Sequence, residues 1–218
     1  MFIPLKDDNP TRSFPFVNLA LILVNVGVFL YMGTLPGRAQ EAFLLTNAEI
    51  PRHVAQFLAG RLSFEVAFRP LVTSMFLHGG WMHILGNMLF LYIFGDNIED
   101  YFGHLGYLVF YFVCGIGAGL MHILFNLNSM VPALGASGAI SGVMGAYAVL
   151  FPRNRILTLV FIFLVPIPAI FILGYWFLLQ VLEGIGRLGM GAQGGVAWWA
   201  HIGGFLLGVL ITLVVRKK

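Results

Sequence analysis

Apolar residues along this chain gather into six long blocks, and polar residues collect in the stretches between them. The blocks run Phe14–Gly33, Trp81–Asn97, Leu105–Leu127, Ser137–Phe151, Ile156–Leu182 and Gly195–Val215. A hydrocarbon layer needs about 20 predominantly apolar residues to be crossed as a helix, so each block reads as a candidate span. The expectation is an all-α polytopic membrane protein of six transmembrane helices.

Composition sharpens this reading. Of 218 residues, 59% are hydrophobic and 10% charged, against roughly 45–50% and 25% in soluble domains. Little chain remains for a soluble domain, which disfavours a cytosolic enzyme or a disordered chain. A net charge of only +3 gives no footprint for nucleic acid. The single cysteine, Cys114, falls inside a block and reads as a small packing residue; one thiol rules out a disulfide or Cys-based zinc site within the chain. Lys6 and Arg12 before the first block resemble a signal peptide, but the block's length and the lack of a small-x-small cleavage site argue for a retained anchor. The expected organisation is a tail over 1–13, a membrane domain over 14–215 and a basic tail over 216–218. With six spans both termini share a side. Lys6, Arg12, Arg153, Arg155, Arg216, Lys217 and Lys218 lie there, against Arg38, Arg52, Arg61, Arg69 and Arg187 opposite. The basic excess places both termini in the cytoplasm.

Three connections carry further information. The long one, 34–80, mixes Phe43, Phe57, Phe64 and Phe68 with scattered charges and reads as a segment lying at the membrane interface. The segment from Glu183 to Gly195 holds six glycines and reads as a mobile linker or lid. The fourth block has fifteen residues, about 22 Å of helix against about 30 Å of hydrocarbon. Its N-terminus should start below the surface, with the preceding loop dipping inward to line protein or a water-filled cavity. Ser137 stands at that start.

Gly135-Ala136-Ser137-Gly138 therefore puts a serine at a buried helix N-terminus, where it reads either as a nucleophile whose own amide helps hold an oxyanion or as part of a small-residue packing face with Ser141 and Gly145. In the sixth block His201, Gly204 and Gly208 share one face, and a close helix crossing there would carry the imidazole towards Ser137. A structural histidine bonded to a carbonyl is the alternative. In the second block His83 and Asn87 stack one turn apart, as oxyanion donors or as interhelical hydrogen-bonding groups. No His-Glu-x-x-His occurs, so a membrane zinc protease has no support. Asp96, Glu99 and Asp100 cluster at one end of the second block and read as a solvated helix end, leaving a Ser-His dyad more plausible than a triad.

His83-x-x-x-Asn87, Gly135-x-Ser137-Gly138 and Ala200-His201-x-x-Gly204, in this order on the second, fourth and sixth blocks, resemble the rhomboid family of intramembrane serine proteases in its prokaryotic six-helix form. The resemblance implies Ser137 as nucleophile, His201 as general base, and His83, Asn87 and the Ser137 amide around the oxyanion. It implies no metal and no cofactor. It also implies an active site opening to the extracytoplasmic side, a fifth span that gates access, and single-span membrane proteins as substrates within the lipid bilayer. Family members often carry Trp-Arg where this chain has Phe68-Arg69, and some carry tyrosine where it has Ser141, so His201 should pack on something else. Pro166 and Pro168 read either as weakening the fifth span to aid gating or, as membrane proline more often does, as a packing kink. Two rival readings are a non-catalytic rhomboid-like protein that escorts membrane helices and a small transporter. Ser137, His201 and Asn87 together argue against escort, and the absence of paired mid-span carboxylates argues against transport.

Overall fold

The computed structural model describes residues 2–187 and 196–216. Helix α1 spans Phe16–Thr34, and four short helices follow in the long connection: α2 (Gly37–Asn47), α3 (Pro51–Leu58), α4 (Phe64–Phe68) and α5 (Pro70–Thr73). The longer helices α6 (Trp81–Phe102), α7 (His104–Asn126), α8 (Ser137–Leu150), α9 (Ala169–Gly186) and α10 (Trp198–Val215) complete the bundle. Among the described residues, α1, α7, α9 and α10 are long and apolar enough to cross a membrane. The protein is a multi-pass membrane protein.

The architecture is mostly helical, but not all-α. Strands β1 (Phe2–Asp7), β2 (Arg155–Val160) and β3 (Phe163–Pro168) form an antiparallel sheet in the order β1-β2-β3. This corrects two expectations. Phe2–Asp7, within the expected tail, form a strand, and the block Ile156–Leu182 divides into a β-hairpin followed by α9. Ile156, Leu157, Thr158, Leu159 and Val160 are mostly β-branched or apolar residues that suit a pleated surface. Pro166 and Pro168 lie in the outer strand of the sheet, where proline is tolerated, and not in a span. The glycine-rich segment is also partly helical, since α9 runs to Gly186; positions 188–195 lie outside the described residues, as do 217–218.

Acidic residues expected to be solvated tie the bundle together. Glu99 is fully buried and accepts hydrogen bonds from the backbone N–H groups of Val17 (2.9 Å) and Asn18 (2.7 Å). It thereby caps α1, whose own N-cap is Pro15 and supplies no side-chain acceptor. Asp100 accepts from the Ser13 N–H and hydroxyl. Buried Asn18 donates to the Leu91 carbonyl and accepts from the Tyr107 hydroxyl, joining α1, α6 and α7. At the same end of the bundle the Tyr147 hydroxyl donates to Asp7, which fastens β1 beneath α8.

Helix α8 has 14 residues, and every position from Gly138 to Tyr147 is buried. It is surrounded by α6, α7, α9 and α10. Against α10 the fit is backbone on backbone. A Cβ added at Gly204 would strike the Gly138 carbonyl, one at Gly208 the Gly142 carbonyl, and one at Gly145 the Phe205 carbonyl. The small residues on both helices thus allow the approach on which the site depends. The long connection packs rather than floats: Val54, Ala67, Leu71 and Ile123 form one buried cluster, and beside it Phe64 stacks on Phe68 while Phe57 meets both rings edge-on.

Candidate active site

The loop before α8 must hold irregular backbone inside the bundle, so its polar groups need partners. Glu49 and Ala133 exchange two backbone hydrogen bonds (2.9 and 2.7 Å), and the Gly135 N–H donates to the Ser74 carbonyl at 2.9 Å. These bonds pin the loop to the long connection immediately before Ser137. Gly135 has φ +120°, and a Cβ there would fall 2.6 Å from His83 Nε2. Only glycine meets both demands.

Ser137 is the first residue of α8, so its N–H is one of the helix's unpaired amides. Its hydroxyl lies 2.8 Å from His201 Nε2, across the α8–α10 crossing. His201 Nδ1 lies 2.8 Å from Gln180 Oε1 on α9, and Gln180 Nε2 donates to the Trp176 carbonyl at 3.3 Å. That last bond orients the amide with its oxygen towards the imidazole. An amide oxygen can only accept, so Nδ1 carries the hydrogen and Nε2 keeps the lone pair that accepts the Ser137 hydroxyl hydrogen bond. The ring is flanked by Trp176 (centroids 5.7 Å apart) and Trp198 (6.4 Å). Ser141 instead turns its hydroxyl back to the Ser137 carbonyl at 2.6 Å. The aromatic support for His201 therefore comes from α9 and the start of α10, not from one turn beyond Ser137.

Asn87 is buried, and its amide nitrogen lies 2.8 Å from His78 Nε2. Burial and the neighbouring His83 push the His78 pKa down to about 4, so its ring is neutral and can accept from the amide. One Asn87 N–H is thus held by His78 while the other remains for the cavity. His83 Nδ1 receives the Gly79 N–H at 3.4 Å, and its Nε2 faces Gly135.

Ser137, His201, His83 and Asn87 all line one cavity of about 1000 Å³, which also exposes His122 and Trp176. Its rim is built from the loop before α8 and the residues flanking 188–195, at the end of the bundle away from the sheet. The geometry brings together all four residues singled out in the sequence. It adds Gln180, His78 and Trp176, which sequence reasoning missed. A polar Gln180 in the uncharged run Ile156–Leu182 was an available signal. Among the described residues no cluster of three or more His, Cys, Asp or Glu side chains could hold a metal ion. A hydroxyl, an imidazole of fixed tautomer and convergent N–H donors are together suited to acyl transfer.

A family model described as Rhomboid domain matches residues 66–218, a range containing every residue of this cavity's polar set. Rhomboid protein 1, mitochondrial, of Saccharomyces cerevisiae is 27% identical over 96% of this chain and 65% of its own length. RHOMBOID-like protein 12, mitochondrial, of Arabidopsis thaliana is 28% identical over 92% of this chain and 59% of its own. RHOMBOID-like protein 6, mitochondrial, of the same plant is 32% identical over 68% of this chain and 44% of its own. The chain thus spans between 44% and 65% of these relatives' lengths.

Proposed function

This chain belongs to the rhomboid family, whose members are generally intramembrane serine proteases, and from that premise we propose that it is itself a serine endopeptidase. The observation that carries the reading is the 2.8 Å contact between Ser137 Oγ and His201 Nε2. In the proposed cycle Ser137 Oγ attacks a substrate carbonyl carbon as its proton passes to His201 Nε2. The oxyanion forms among the Ser137 N–H, the free Asn87 N–H and His83. His201 returns the proton to the leaving amine, and the acyl-enzyme forms. Water admitted by the cavity then attacks the ester with His201 again as base, releasing the acid and Ser137. Gln180 touches no reacting atom; it positions His201 by holding Nδ1–H.

The same reading takes α6 and α8 as membrane crossings with the four long apolar helices, giving six spans and one membrane domain over 14–215. At 14 residues α8 covers about 21 Å, so Ser137 lies below the outer surface of the bilayer. The sheet end, with Lys6, Arg12, Arg153, Arg155 and Arg216, faces the cytoplasm, and the cavity opens on the opposite side. Substrates are single-span membrane proteins cut in or near their transmembrane segments. A hydroxyl and an imidazole in contact, with the tautomer fixed, favour catalysis over an escort that only binds helices.

A fluorophosphonate probe tests the nucleophile. With purified protein, mass spectrometry should locate a single adduct on Ser137 and none on Ser141, and Ser137→Ala should abolish it. Equal labelling of Ser137→Ala would remove the assignment.

A further inference from the structure

From Ile156 to Leu182 the chain has no charged residue and no histidine, yet its first part forms a hairpin at the end of the bundle. The hairpin's far end is strongly exposed: Phe161 74%, Ile162 82%, Phe163 65% and Leu164 59%. Its near end is different. Ile156 and Thr158 are fully buried against the bundle, and Arg153 and Arg155 are exposed beside them. The element is therefore polarised along its length, from cations at the base to bare aromatic and aliphatic side chains at the tip. A patch of this kind facing water would be a liability.

The free edge of β3 indicates what covers it. A two-residue turn makes Val160 and Phe163 a hydrogen-bonded pair, and the Ala169 N–H donates to the Asn154 carbonyl at 2.8 Å in the same phase. By alternation, Leu164, Pro166 and Pro168 turn their backbone towards the open edge. Two of those three positions are proline and have no N–H. A second copy adding a strand there would lose two donors, so strand pairing is disfavoured. The same prolines reduce the unpaired donors that make an open edge costly in a weakly polar medium. The hairpin is also continuous with the bundle's apolar exterior, because α9 starts at Ala169 and exposes Ile170 and Phe171 in its first turn.

We propose that the β2–β3 hairpin is a membrane-docking element whose tip, Phe161 to Leu164, lies in the lipid interface, with Arg153 and Arg155 at the headgroups. The remaining edge carbonyls keep it at interfacial depth rather than in the hydrocarbon core. It anchors the base of α9, the helix that carries Trp176 and Gln180, to the bilayer. The inference does not depend on the chemistry proposed for Ser137.

The test uses the full chain in a Cys114→Ala background, reconstituted in phosphatidylethanolamine–phosphatidylglycerol vesicles, with NBD attached to Ile162→Cys or, as a comparison, to Lys6→Cys on β1. The Ile162 label should emit at shorter wavelength and be quenched by nitroxide-bearing lipid much more than by aqueous iodide, and the Lys6 label the reverse. Iodide quenching of both labels alike would overturn the proposal. Protection of the Ile162 label from both quenchers would overturn it too, because the tip would then be packed on protein. Ile162→Glu labelled at Phe163→Cys gives a second reading: the charge should shift that label towards iodide access, and no shift would count against docking.

Discussion

Gln180 decides which imidazole nitrogen of His201 is free to serve as the proposed base. Without its oxygen at Nδ1, the His201 ring can rotate or take the other tautomer, and Nε2 no longer reliably faces Ser137 Oγ. Gln180→Ala should lower kcat by about tenfold to a hundredfold, less than the ~10²–10⁴ supplied by a general base, with KM almost unchanged. Gln180→Glu keeps the acceptor and should restore most of the rate; unchanged kcat in Gln180→Ala would show that the amide does not position the ring. The hydrogen bond joins residues 21 apart on different helices, so nothing local in the sequence reported it. Glu49 makes a separate prediction. Its carboxyl is buried beside Gly119, Oε1 has no partner, and burial pushes its pKa from 4.5 up to about 8. The folded protein keeps this proton up to about pH 8, whereas the unfolded chain releases it near 4.5. Its contribution is therefore most favourable below about 4.5 and is lost as pH rises through about 8. Thermal unfolding in detergent at pH 5 and pH 8.5 should show wild type weakening with pH more than Glu49→Gln; equal slopes would refute it.

Helix α8 meets α10 through glycine, and the crossing sets the distance between Ser137, the proposed nucleophile, and His201, the proposed base. Gly208→Leu would force a side chain against the Gly142 carbonyl, an overpacking expected to cost about 1–3 kcal/mol, and should move His201 away from Ser137. Unfolding in denaturing detergent measures the first effect and probe labelling the second. Gly27→Ala, where a Cβ meets nothing within 4 Å, should leave both intact. This crossing was legible in the sequence, because small residues four apart on two apolar blocks imply close backbones. The hairpin was not. Ile156–Leu182 is apolar throughout, and hydropathy alone cannot separate a strand pair from a helix. Its excess length over one span and Pro166 and Pro168 were the clues that the block was not one helix. Glu99 was misread for a related reason: an acid at a helix end looks solvated unless the capping amides of a distant helix, here α1, are known.

Under the proposed function the bundle as a whole separates support from chemistry. One end carries the sheet and the Glu99 and Asp100 ties, while the other carries the loop, the cavity and the Ser137–His201 contact. The motifs of the site were readable in order along the chain because each motif sits on its own helix, His83 and Asn87 on α6, Ser137 on α8 and His201 on α10, and the fold had only to bring three helices together. Less legible was the supporting layer of His78, Trp176 and Gln180, which depends on how α9 and the stretch before α6 pack against those three helices. The central claim is that this arrangement hydrolyses peptide bonds within the membrane. The most direct measurement reconstitutes purified protein and a fluorescently tagged single-span substrate in the same vesicles, without other proteins, and follows the fragments by gel and mass spectrometry. The account predicts cleavage at a defined bond in or near the substrate's span by wild type and none by Ser137→Ala or His201→Ala. Intact substrate with wild type across a panel of such spans, while the protein remains folded, would contradict it, as would equal cleavage by Ser137→Ala.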